Sequence, residues 1–121
     1  MFHAAVVGAP VTDQHLYDTC YTERYLGHPD AEPDVYRRNS VVVGTEPSGW
    51  AEQHRPLMVI HGLADDNVVV AHTLRLSSAL LAEGRPHETL LLSGVTHMTP
   101  QEVVAENLML LQVDFLKRSL G

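Results

Sequence analysis

Cysteine is almost absent from this chain of 121 residues, which contains only Cys20. A single cysteine excludes an internal disulfide and any cysteine-rich metal site. Basic residues are also scarce, since 8 lysines and arginines stand against 15 aspartates and glutamates, giving a net charge of −7. Nucleic acids and anionic membrane surfaces are bound through basic patches, so the charge balance argues against both as partners.

Long hydrophobic runs are missing as well, because no stretch approaches the ~20 apolar residues of a membrane span. The N-terminus shows no basic segment followed by an apolar one, so no signal peptide is predicted. We leave the compartment open on this basis, with the cytoplasm slightly favoured. What is present is a globular composition, 45% hydrophobic and 19% charged, which suits one domain of ordinary size.

Short apolar runs alternate with helical patterns along the chain. Three runs predict buried strands, at residues 3–7, 57–60 and 89–92. Two helices are predicted between and before them, over residues 33–39 and 71–83, and residues 17–26 look helical or irregular. This alternation predicts an α/β fold of about three parallel strands with flanking helices. So small a sheet is expected to be incomplete, part of a larger fold.

Two further segments carry local signals. Pro and Gly cluster in residues 44–56, which predicts a surface loop. Near the C-terminus, Thr99 is predicted to cap a last helix, with Pro100 in its first turn. The apolar face of that helix is expected to consist of residues at helical spacing: Val104, Leu108, Leu111 and Phe115.

Polar residues follow the second and third predicted strands. Sites in parallel sheets lie beyond the carboxyl ends of the strands, where Asp65 and, 32 positions later, His97 are found. This order matches the acid and base of α/β-hydrolases, in which the aspartate orients the histidine. Either residue alone is more often a cap, a loop anchor or a surface residue. Together, each after an apolar strand, they strengthen the catalytic hypothesis.

Other site chemistries find less support. His61 with Asp65 and Asp66 could bind a metal, but a recognised zinc spacing is absent, so His61 is interpreted as a packing residue. The remaining histidines are interpreted as solvent-facing, among them His28, His54, His72 and His87. No glycine-rich phosphate loop occurs, and we expect no cofactor. The nucleophile motif G-x-S-x-G is also missing, so a serine nucleophile would have to lie before Met1.

Two segments resemble a known family. Residues 18–27 read DTCYTERYLG and resemble D-x-x-Y-T-E-R-Y-[ML]-G, while residues 61–68 read HGLADDNV and resemble H-G-x-A-D-D-N-V. Both patterns belong to dipeptidyl peptidase IV-like enzymes, which are serine exopeptidases of the prolyl oligopeptidase family. Residues 9–11 also stand before the first motif as they do in that family. The resemblance runs in register over nearly the whole chain and is weakest at residues 44–55.

The resemblance implies a role for each matching residue. Asp65 would be the acid of the triad and His97 its base, and Asp65 rather than Asp66 would accept a hydrogen bond from His97. Asp66 would instead cap or brace the loop. Five residues would form the substrate site for a penultimate proline: Val11 and Val68 as aliphatic walls, Tyr17 and Tyr21 as aromatic ones, and Asn67 for a substrate carbonyl. Residues 1–121 would belong to one α/β-hydrolase catalytic domain, with no second domain.

Two departures from the family pattern affect this site. Gln14 stands where the family has a pocket tryptophan, which removes a large apolar wall. Met98 follows His97 where the family often has glycine, which can alter the loop that presents the histidine.

Three functions remain open. The first is the C-terminal part of a serine exopeptidase that releases X-Pro or X-Ala dipeptides from peptide N-termini and is inactive alone. The second is a truncated, non-enzymatic product that associates with itself through an exposed sheet edge. The third is another α/β-hydrolase, such as an esterase, against which the tyrosine motif argues. The expected partners are a peptide substrate with penultimate proline or alanine and further copies of the chain.

Overall fold

The computed structural model describes residues 2–42 and 55–121, in which strands and helices alternate as predicted. The strands are β1 (Ala5–Gly8), β2 (Leu57–Gly62) and β3 (Glu88–Leu92). The helices are α1 (Thr19–Leu26), α2 (Pro33–Arg38), α3 (Ala71–Ala82) and α4 (Glu102–Leu120), with a 3₁₀ turn at Gln14–Leu16. The loop predicted at residues 44–56 lies, apart from its last two residues, outside the described ranges.

The three strands form one parallel sheet in the order β1-β2-β3. Ala5 lies opposite Leu57, and Met58 lies opposite Glu88, so both pairings are in parallel register. The predicted parallel sheet is therefore confirmed. Within the described residues β1 and β3 are its two outer strands, as expected for β1.

Helices cover both faces of the central strand β2. Its side chains alternate between the two faces of the sheet, as the period of two requires. Met58 and Ile60 pack against Phe115 of α4 on one face. On the other face Val59 packs against two leucines of α3, Leu76 and Leu80. An unbroken apolar run is suited to this double burial, which explains why residues 57–60 carry no polar side chain.

Helix α3 buries two of its four leucines. Leu76 and Leu80 are buried, whereas Leu74 and Leu81 are exposed. The helix ends at the predicted point, because Gly84 follows the capping residue Glu83 with a φ of +65°. Glycine adopts this left-handed conformation without steric cost, so it stops the helix cleanly.

The predicted start of α4 is wrong. Gln101 is extended (φ −77°, ψ 115°), so the helix begins at Glu102, and Thr99 does not cap it. Thr99 instead lies in the turn after β3, beside His97. The predicted apolar face is also only half correct, because Phe115 and Leu108 pack on the sheet whereas Leu111 is 50% exposed. The tertiary position of the β3 exit turn overrides the local capping signal.

Helix α4 presents many apolar side chains to solvent. The exposed members include Val103, Met109, Leu110, Val113 and Leu120. Within the described ranges no helix combines the length and apolarity needed to cross a membrane. Exposed apolar side chains and strand edges that are unpaired among the described residues are features through which chains can associate.

We expect the isolated chain to dimerise or aggregate, because exposed apolar side chains and strand edges that are unpaired among the described residues both gain from contact with another copy. Size-exclusion chromatography with light scattering measures this directly. A sharp monomer of 13.4 kDa at all protein concentrations would contradict the expectation.

Candidate active site

Asp65 and His97 meet at the carboxyl ends of β2 and β3. Because the two strands are parallel neighbours, their exit turns lie side by side at the same edge of the sheet. Nδ1 of His97 lies 2.9 Å from Oδ2 of Asp65. The Asp65 side chain is fully buried, whereas that of His97 is 38% exposed. The predicted contact is confirmed, and Asp65 rather than Asp66 makes it.

The second oxygen of Asp65 holds its own turn in place. Oδ1 accepts hydrogen bonds from the backbone N–H groups of Asn67 (3.0 Å) and Val68 (2.8 Å). The prediction that Asp66 caps or braces this loop is wrong, because the bracing carboxylate is Asp65 and Asp66 points outward. The Asp65 carboxylate therefore orients His97 and also fixes the backbone of its own turn.

These hydrogen bonds determine the charge of the site. Burial alone would raise the pKa of Asp65, but the bonds donated by His97, Val68 and Asn67 outweigh it and hold the pKa below its usual value. Asp65 is therefore ionised at neutral pH and accepts a hydrogen bond from the Nδ1–H group of His97. With the proton at Nδ1, Nε2 of neutral His97 has a free lone pair and can act as a base.

A close approach at Gly62 joins the two exit turns. A Cβ atom at this position would lie 2.3 Å from the Val95 carbonyl oxygen and 2.5 Å from that of Thr96. The backbone of Ala64 also donates to the Val95 carbonyl oxygen at 3.0 Å. Only glycine permits this contact, which sets the position of the turn that presents His97.

Three of the predicted substrate residues, Tyr17, Tyr21 and Asn67, lie together near Asp65 and His97. The rings of Tyr17 and Tyr21 meet edge to face, with centroids 5.6 Å apart. The Tyr17 hydroxyl donates to Oδ1 of Asn67 at 3.3 Å. All three side chains line one shallow depression. The prediction that Val11 and Val68 form walls of the same depression is wrong, because neither lines it; Val11 is half-buried and Val68 is buried.

The loop that follows β1 is fixed to α3. Thr12 donates from its backbone N–H to Nδ1 of His72 (3.1 Å) and from its hydroxyl to the His72 carbonyl oxygen (2.8 Å). Buried Asp13 pairs with Arg75 at 2.8 Å. Burial would raise the pKa of Asp13, but bonds from His15 and the nearby charge of Arg75 keep it low. These contacts set the path of the chain from Val11 towards Tyr17.

Several histidines differ from their predicted environment. His72 was expected to face solvent but is fully buried, and burial lowers its pKa. Its spacing of four residues from Leu76 is the signal that predicts this burial. His87 is half-buried against Ser77, His28 is exposed as expected, and His54 lies outside the described residues.

His61 is buried, as its interpretation as a packing residue requires, and it also makes two short hydrogen bonds. Thr73, one of its partners, carries no distinctive sequence signal, because its role depends on how α3 packs on the sheet. Across residues 2–42 and 55–121 no group of three or more histidine, cysteine or acidic side chains is arranged to hold a metal.

Comparison with known proteins supplies the wider context. The model of the prolyl oligopeptidase family matches residues 1–121. Dipeptidyl peptidase 8 of Homo sapiens is 36% identical over 121 residues, all of this chain and 13% of that protein. Dipeptidyl peptidase 4 of Sus scrofa is 32% identical over 119 residues, 98% of this chain and 15% of that protein. The chain thus spans a small part of the length of these relatives.

A solved structure shows the same architecture. Dipeptidyl peptidase 4 of Porphyromonas gingivalis superposes with a TM-score of 0.85 at 25% identity, covering 98% of this chain and 16% of that protein. The expected α/β-hydrolase architecture is confirmed by this likeness and by the parallel sheet.

Substitution of Gly62 tests the close approach between the two exit turns. Gly62→Ala is expected to lower the free energy of unfolding by about 1–3 kcal/mol, because the new methyl group displaces the Val95 and Thr96 carbonyls. Gly8→Ala is the matched control, since a Cβ there meets nothing within 4 Å. Urea unfolding of both variants measures the difference. Equal stability of the two would contradict the close approach.

The lowered pKa of Asp65 predicts an acid-sensitive contribution to stability. This contribution is fully present above the unfolded value of about 3.9 and is lost as the pH falls through the lower folded pKa. Asp65→Asn should therefore destabilise the chain at pH 7 and flatten the loss of stability below about pH 4. Unfolding free energies measured across this range check it, with the exposed Asp30→Asn as control. A variant as acid-sensitive as the parent would count against the bonding of Asp65.

Proposed function

The chain belongs to the prolyl oligopeptidase family, and on that premise we propose that Asp65 and His97 are the acid and base of a serine-type dipeptidyl peptidase. The observation that carries this proposal is the 2.9 Å bond between a buried carboxylate and a partly exposed imidazole at the sheet edge. The relatives named above are dipeptidyl peptidases, which supports the reaction class. Residues 1–121 would form part of one catalytic domain.

The arrangement fits general-base catalysis of acyl transfer. Nε2 of His97 would take the hydroxyl proton of a serine as that oxygen attacks the substrate carbonyl. The same proton would then pass to the leaving amine, and water would release the dipeptide from the acyl-enzyme by the same steps. Asp65 would keep the proton of Nδ1 in place and stabilise the imidazolium.

The nucleophile is the part of this machinery that the chain does not supply in our proposal. Among residues 2–42 and 55–121 no hydroxyl or thiol is hydrogen-bonded to Nε2 of His97, and G-x-S-x-G occurs nowhere in the sequence. The serine would therefore come from a polypeptide segment outside this sequence, and the chain alone would be inactive.

The shallow depression lined by Tyr17, Tyr21 and Asn67, which we call the tyrosine depression, suits a substrate with proline or alanine in the penultimate position. A flat, rigid pyrrolidine ring packs well against aromatic faces such as those of Tyr17 and Tyr21. Because Oδ1 of Asn67 accepts from Tyr17, its amide nitrogen is left to donate to a substrate carbonyl. Gln14, in place of a large aromatic wall, would leave one side of this pocket more open.

A chimera tests the proposal. The matching segment of the Porphyromonas gingivalis enzyme is replaced by this chain, and turnover of a glycyl-prolyl chromogenic substrate is measured. We expect turnover by the chimera and none by the chain alone. Asp65→Asn should lower kcat by about 10⁴-fold and His97→Ala by about 10⁶-fold, because the triad acts as a unit.

Another aspartate–histidine pair provides the matched control. His28 and Asp30 lie 3.9 Å apart on the exposed surface, so His28→Ala and Asp30→Asn should leave the chimera's turnover unchanged. A folded chimera that keeps its activity in His97→Ala would overturn the proposal. So would turnover by the isolated chain that disappears after treatment with a serine-directed phosphonate.

A further inference from the structure

A second histidine lies directly beneath the candidate site. His61 is 1% exposed, near the end of β2 and on the same face of the strand as Val59. That face packs on α3, where Oγ1 of Thr73 lies 2.6 Å from Nδ1 of His61. Nε2 of His61 lies 2.6 Å from the carbonyl oxygen of Val68. Both ring nitrogens are thus hydrogen-bonded in the interior.

The partners of His61 determine which nitrogen carries the proton. A carbonyl oxygen only accepts, so Nε2 must donate to Val68. In the neutral ring Nδ1 then accepts the hydroxyl proton of Thr73. Every polar atom of this buried imidazole is satisfied, which removes the cost of placing it in the core.

Both backbone polar groups of Val68 are held by side chains of the site. The N–H of Val68 donates to Oδ1 of Asp65, and its C=O accepts from His61. Nε2 of His61 also lies 3.5 Å from Oδ2 of Asp65, the oxygen that accepts from His97. The turn that carries Asp65 and Asn67 is therefore closed by two backbone N–H bonds to its own carboxylate and by one bond from His61 of β2.

We propose that His61 is a positioning residue that holds the 65–68 turn so that Asp65 faces His97 and Asn67 faces Tyr17. This inference rests on the proposed function for its catalytic meaning, although the geometry concerns only residues of this chain. Without the bond from His61, the Val68 carbonyl is buried with no partner and the 68–69 peptide unit rotates to find one. Such rotation displaces Val68, and with it the neighbouring N–H group that is bonded to Oδ1 of Asp65.

The test uses nitrogen NMR on the full chain to determine which ring nitrogen of His97 carries the proton. In the parent, the acceptor Asp65 should place the proton of neutral His97 on Nδ1. His61→Leu should shift it towards Nε2, the position preferred by histidine in water. His61→Gln should keep the parental tautomer, because its amide N–H can still reach the Val68 carbonyl. The pKa of Asp65 should rise in the leucine variant and not in the glutamine variant.

A second pair of variants covers the case in which His61→Leu does not fold. Thr73→Ala leaves the imidazole in place but removes its other anchor, and should shift the His97 tautomer in the same direction. Thr73→Ser keeps the hydroxyl and should behave as the parent. His87→Gln, at a histidine bonded to α3 away from the site, controls for a general loss of stability.

A purely structural role for His61 would lower the melting temperature and leave the His97 tautomer unchanged. That result in folded His61→Leu or folded Thr73→Ala overturns the proposal, as does failure of both variants, or of the parent, to give a folded spectrum. The readout needs no turnover. An inactive chimera would therefore remove the proposed function, whereas an unchanged tautomer would remove only the role of His61.

Discussion

The two oxygens of the Asp65 carboxylate make different hydrogen bonds, and the geometry of the site depends on both. Oδ1 binds two backbone N–H groups of its own turn, and Oδ2 binds His97. A carboxylate used in this way cannot move towards the histidine without disturbing the turn. The backbone of the turn therefore fixes the position of Asp65 relative to His97. A carboxylate that was free to rotate would not hold the histidine in one orientation.

Helix α3 supports the backbone on both sides of the site. His72 and Arg75 fix the loop that leads from Val11 to Tyr17, and Thr73 anchors His61 beneath the 65–68 turn. The leucines on the same helix bury it against β2, so these polar contacts are made from a rigid element. The hydrophobic face of α3 thus indirectly sets the distance between the tyrosine depression and the acid–base pair.

The parts that were predictable from sequence follow from periodicity and order along the chain. The parallel strands, the end of α3 at Gly84 and the pairing of Asp65 with His97 depend on local patterns that tertiary packing reinforces. The start of α4 was mispredicted because the chain after β3 keeps Thr99 beside His97 and Gln101 extended, which no local pattern at Thr99 reveals. The burial of His72 and the bonding of His61 depend on which helix face meets the sheet.

The central claim is that Asp65 and His97 interact energetically in this chain. A double-mutant cycle measures that interaction, using the unfolding free energies of Asp65→Asn, His97→Gln and the double variant. A coupling energy of about 1.5–3 kcal/mol is predicted for a hydrogen bond to a buried, ionised carboxylate. The exposed pair of Asp30 and His28 should give additive effects in a parallel cycle. Additivity within about 0.5 kcal/mol for Asp65 and His97 would contradict the account.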